Sequence, residues 1–79
     1  MKRHHTNCDY VNTHGKEPRG TGDWAFCVTV YAPARGYTEL GIKFANGTFA
    51  AARKQVQDDA ILEAKSIGGA TEVHTETLG

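Results

Sequence analysis

Between Trp24 and Leu78 the spacing of apolar residues changes from every second position to about every 3.6 positions and back again. A backbone that alternates faces, then winds, then alternates again reads as strand, strand, helix, strand. Trp24, Phe26, Val28 and Val30 alternate with Ala25, Cys27, Thr29 and Tyr31, the pattern of a half-buried strand. Ala32-Pro33-Ala34-Arg35-Gly36 supplies the Pro and Gly of a hairpin loop. The second strand is expected over 37–45. Its even positions, Thr38, Leu40, Ile42 and Phe44, are expected to face the core, and Tyr37, Glu39, Gly41 and Lys43 to face away.

Asn46-Gly47 closes that strand, and Thr48 suits the N-cap of a helix. Phe49, Ala52, Val56, Ala60, Ala64 and Ile67 then fall on one helical stripe, with Leu62 nearly opposite it. Gly68-Gly69 marks the helix end, with Gly68 suited to the left-handed position. Ala70 to Leu78 reads as a polar strand, with Glu72, His74 and Glu76 on one face and Val73 on the other, best placed at a sheet edge. The expected fold is α+β: a small antiparallel sheet with one helix packed on one face, in the order β-β-α-β over 24–79. Residues 1–23 read as a polar N-terminal arm, irregular or with one short extra strand at Cys8 to Asn12.

A chain of 79 residues has room for one core of modest stability. Nine basic residues balance nine acidic ones, which excludes a protein that grips nucleic acid mainly by bulk charge. No apolar run approaches the roughly 18–20 residues needed to cross a bilayer. The basic start, Met1 to Asn7, leads into no apolar segment, so no signal peptide is expected and the location is expected to be cytoplasmic. In that setting Cys8 and Cys27 are expected as unpaired thiols rather than a disulfide.

His4, His5, Cys8 and His14 cluster near the start and Cys27 lies further on. These are zinc-ligand types, but their spacing matches no finger or ribbon, so neither metal nor cofactor is expected. A Cys–His pair lacks any local signature, and there is no phosphate loop, His-Glu-x-x-His or Ser-centred elbow. Asp58, Asp59 and Glu63 read as a solvated helix face. An enzyme is not expected.

A single helix covers one face of a sheet and leaves the other open. That face is expected to carry Cys27, Thr29, Tyr31, Tyr37, Glu39, Gly41 and Lys43, with Arg35 in the adjoining loop. Tyrosines beside Arg and Lys suit a protein interface, and they also suit a base-stacking platform. A protein partner is the leading expectation and a small nucleic-acid-binding domain using Tyr31, Tyr37, Arg35 and Lys43 the alternative. The chain is expected to be a monomer or a homodimer.

In its size, its ββαβ order over 24–78, its balanced charge and its lack of a catalytic set, the chain resembles the small phage- or prophage-encoded anti-CRISPR proteins. The resemblance implies a non-enzymatic inhibitor in a bacterial host cell. Such an inhibitor binds a CRISPR effector complex and blocks target-DNA recognition or nuclease recruitment. Many such proteins present acidic surfaces where DNA would bind. Glu39, Asp58, Asp59, Glu63, Glu72 and Glu76 would supply one here, diluted on the helix by Arg53, Lys54 and Lys65.

Overall fold

The computed structural model describes residues 1–78. Its elements are β1 (Lys2–Thr6), α1 (Cys8–His14), β2 (Thr21–Ala32), β3 (Gly36–Thr48), α2 (Phe49–Ala64) and β4 (Glu72–Thr77). The four strands form one sheet in the order β1-β4-β2-β3, with β1 parallel to β4 and the other pairs antiparallel. The α+β class is as expected. The order, however, is βαββαβ, the sheet is mixed rather than antiparallel, and there are two helices rather than one. No helix among the described residues is long and apolar enough to cross a membrane.

The core lies between α2 and one face of the sheet. Trp24, Phe26, Val28 and Val30 of β2 and Val73 of β4 meet Ala52, Val56, Ala60 and Ala64 of α2, all buried. The small alanines let the helix axis approach the sheet, so the larger side chains come from the strands. Thr48 caps α2 as expected, its Oγ1 accepting the Ala51 N–H at 3.2 Å. Such a cap contributes about 1 kcal/mol. The helix stops at Ala64, earlier than the glycines suggested. Its last turn tightens through Lys65, Ser66 and Ile67 N–H groups donating to Leu62, Glu63 and Ala64 carbonyls, and Gly69 rather than Gly68 carries the positive φ.

Three local expectations are corrected. The polar strand β4 sits inside the sheet, between β1 and β2, and not at an edge. Its polarity belongs to one face only: Val73, Thr75 and Thr77 are buried towards α2 while Glu72, His74 and Glu76 look the other way. The leading segment is not an irregular arm. Lys2–Thr6 adds to β4 as an edge strand, and Cys8–His14 is a helix rather than a strand, closing on Gly15 in the left-handed conformation. Tyr10 anchors that helix, buried 5.9 Å from the Trp24 ring.

The third correction concerns β3. Thr29 pairs with Glu39 but Val28 pairs with Gly41, so Leu40 has no opposite number and the strand bulges there. Gly41 takes φ of +96°, open to glycine and strained for other residues. One extra residue inverts the faces beyond it. Thr38 and Leu40 therefore point towards α2 as expected, but Ile42 and Phe44 pair with Cys27 and Ala25 on the opposite face. Lys43 takes the helix side, 3.7 Å from Glu63.

A polar cluster under the core's edge explains how so polar a β1 is held. His5 faces α2, its ring edge-on to Phe26 and tilted against Phe49. Its Nε2 lies 2.7 Å from Asn7 Oδ1 and its Nδ1 2.7 Å from Thr75 Oγ1. Thr77 Oγ1 donates to Asn7 Oδ1 at 2.8 Å, and Gln57 Nε2 donates to Thr75 Oγ1 at 3.3 Å. A neutral ring completes this network, donating from Nε2 and accepting at Nδ1. Burial accordingly holds the His5 pKa below 6.5; the Asn7 hydrogen bond opposes that shift and the Arg53 charge adds to it. The folded chain thus binds this proton less readily than the unfolded one, so the contribution is full above about pH 6.5 and is lost as pH falls through the lower, folded value. Melting temperature is expected to fall on acidification from pH 6.5 towards 5, with a shallower fall in His5→Gln. Parallel slopes for the two proteins over that range would contradict the assignment. Glu76 acts with the opposite sign, its pKa raised by burial and then by Asp9, which is why the difference between the two proteins is the quantity to read.

Candidate functional site on the open sheet face

The face turned away from α2 is a grid set by strand register. One row crosses Lys2, Glu72, Tyr31 and Tyr37; the next crosses His4, His74, Thr29 and Glu39; a third crosses Thr6, Glu76, Cys27 and Ile42. α2 lies on the other face, and Asp9 of α1 stands beside Glu76 and Cys27 at one end of this one. Tyr37 is 66% exposed, Ile42 54% and Phe44 77%, all on the edge strand β3.

Aromatic rings cross this face from edge to edge. His4 stacks on His74 with centroids 4.5 Å apart and planes within 9°. Tyr37 meets the His74 ring edge-on at 5.5 Å and packs on Tyr31 at 4.8 Å. One carboxylate bridges the two histidines from beside the stack: Glu72 Oε1 lies 2.9 Å from His74 Nε2 and 3.2 Å from His4 Nε2. The His74 contact is a hydrogen bond, whereas His4 Nε2 is shielded from solvent and makes none. Beside the pair opens a hollow of about 240 Å³, whose lining includes Thr6, Cys27, Thr29 and Glu76. Burial pushes the Cys27 thiol pKa up, and Glu39, Glu76 and Asp9 push it further, so this cysteine stays a protonated, weak nucleophile.

The sequence-predicted residues divide between two surfaces. Tyr31, Tyr37, Glu39, Glu72 and Glu76 share the open face, and Arg35 is exposed in the hairpin loop at its end. Lys43 lies on the other side with α2, as do Asp58, Asp59 and Glu63. Asp58 is bound there by Arg3 at 2.6 Å and Lys54 at 2.8 Å, and the hydrogen bonds from Lys54 and then Arg3 hold its pKa below the usual range. The acidic residues therefore form no single surface. Leu62 is 63% exposed on the outer side of α2.

The N-terminal His/Cys cluster also separates. His5 enters the polar network on the helix side, His14 packs on Tyr10, and Cys8 is exposed with its Sγ accepting from Thr6 Oγ1. Cys8 and Cys27 are free thiols. Sequence reasoning missed Ile42 and Phe44, which the bulge turns outward, and the pairing of His4 with His74 across 70 residues of chain. Gly41 in mid-strand was the available signal for the first, since an interior glycine often marks a bulge. No family model, curated protein or solved structure matches the chain.

Proposed function

We propose that the protein is a non-enzymatic binding module that docks a protein partner on the open sheet face and acts by occupying that partner. The observation that carries this reading is the row of exposed large side chains, Tyr37, Ile42 and Phe44, along one edge strand. Ile42 and Phe44 are neighbours on this face and Glu39 separates them from Tyr37. Exposed apolar groups gathered on one strand suit an interaction surface, where aromatic anchors dominate binding energy. The outer edge of β3 adds unpaired backbone groups to which a partner strand can hydrogen-bond.

Charge favours protein over nucleic acid. The face presents Glu39, Glu72 and Glu76 against Lys2, with Arg35 at its margin, and Lys43 has turned away to Glu63. Phosphates are repelled by such a surface; lysines and arginines of a protein partner are not. A CRISPR effector complex remains the partner that the resemblance proposes, and its own basic DNA-binding surface is of the complementary sign. The ββαβ segment behind that resemblance is here part of the longer βαββαβ order.

Capture of partners from a bacterial lysate on immobilised wild type, Phe44→Glu and Leu62→Glu tests the surface. A protein retained by wild type and Leu62→Glu but lost by Phe44→Glu is the expected result. Equal retention by all three, or loss with Leu62→Glu alone, would move the site off this face. Adding purified CRISPR effector to its target DNA with and without the protein tests the proposed partner.

A further inference from the structure

We infer that His4, His74 and Glu72 form a binding site for a late first-row divalent cation of the zinc class, joining the first strand to the last. The inference is independent of what docks on β3.

Parallel pairing brings His4 and His74 into direct register, and Glu72 is two residues from His74 on the same side of β4. One ligand atom from each of the three lies within 4.8 Å of the others. Zinc bonded tetrahedrally at about 2.0–2.1 Å sets its ligands about 3.3 Å apart. The two nitrogen-to-carboxylate separations, 3.2 and 2.9 Å, are already near that value. The two rings are stacked with planes within 9°, so both partly exposed rings must tilt to aim their nitrogens at one ion.

The donor set is chemically apt. Two imidazoles and a carboxylate are the ligands of open zinc sites, and imidazole favours zinc, copper and nickel over calcium or magnesium. A second observation points the same way. His4 Nε2 is shielded from water and faces Glu72 Oε1 without a hydrogen bond. A cation between these atoms takes the nitrogen lone pair and the carboxylate together and leaves neither unpartnered. Three protein ligands leave a fourth tetrahedral position for water or for a donor from another molecule.

The test uses the full chain without a histidine tag, titrated with zinc chloride near neutral pH by calorimetry. One zinc per chain is expected, with affinity falling at least about tenfold in His74→Gln and in Glu72→Gln, since even changes outside the ligand shell cost that much. A Cys8→Ser, His14→Gln double variant is expected to bind as wild type does. Wild-type nuclear magnetic resonance gives a readout that needs no variant to fold: zinc is expected to shift the ring signals of His4 and His74 and leave those of His5 in place. Absence of stoichiometric binding overturns the proposal. So does binding that survives His74→Gln, is lost in the Cys8/His14 double variant, or moves His5 rather than His4 and His74.

Discussion

Phe26→Ala is expected to remove about 3–5 kcal/mol of stability, the usual loss when a buried aromatic is cut back to alanine. Phe26 is fully buried at the centre of β2, which is itself flanked on both sides by other strands. It covers the place where the apolar core gives way to the His5, Asn7, Thr75, Thr77 and Gln57 network, and its ring contacts both His5 and Phe49. Truncation therefore leaves a cavity on one side and lets water reach a closed hydrogen-bond cluster on the other. At about 0.05–0.15 kcal/mol per residue, a domain of 79 residues has a total of about 4–12 kcal/mol. The variant is expected to be largely unfolded at 37 °C or to melt at least about 12 °C lower. Denaturation by urea, followed by far-ultraviolet circular dichroism, measures it. A loss under about 1 kcal/mol would mean that the layer between β2 and α2 is not the principal core.

Where a segment's own pattern decides its structure, the residues were readable. The alternation of β2 is strict because one face meets α2 and the other is open, and the alanine-rich stripe of α2 is regular because one side of the helix rests on the sheet. The split of β4 into Val73 against Glu72, His74 and Glu76 has the same origin. What stayed hidden depends on long-range pairing. Lys2–Thr6 carries no apolar alternation at all, and its strand state comes from the β4 backbone and the His5 network, supplied by residues some 70 positions later. The seven residues of α1 are too few to display a stripe, and Tyr10 alone commits them to Trp24. β4 looked like an edge because half of its side chains are polar, yet polarity on an open face says nothing about lateral neighbours. The candidate site divides in the same way. Tyr31, Tyr37, Glu39, Glu72 and Glu76 followed from alternation, while the His4–Glu72–His74 group needs a parallel register that no local pattern encodes.

Gly41→Val is expected to destabilise the fold by about 2 kcal/mol, with Gly41→Ala costing less, and to do so without any steric clash. A Cβ built at Gly41 meets no atom within 4 Å, so space is not the difficulty. The difficulty is φ of +96°, which a β-branched residue adopts only at a cost of order 1–3 kcal/mol. The chain has two ways to respond. It can keep the bulge and carry the strain, leaving Ile42 and Phe44 exposed; or it can expel the bulge and slide β3 by one residue against β2. The slide restores the simple alternation that Thr38, Leu40, Ile42 and Phe44 suggest in the sequence, but it drives Phe44 into space now filled by Ala45 beside Trp24 and breaks the Lys43–Glu63 contact. Overfilling a packed layer costs about 1–3 kcal/mol, so neither route is cheap. Urea denaturation reads the total, and nuclear Overhauser contacts from Phe44, to Ala25 in the native register or to α2 after a slide, distinguish the two. Native stability in Gly41→Val would show that β3 holds its bulge without glycine. Loss of stability with Phe44 still beside Ala25 would show that the bulge persists and carries the strain. Loss with Phe44 moved to α2 would show that this glycine keeps the largest apolar side chain of β3 on the surface, where a partner can reach it.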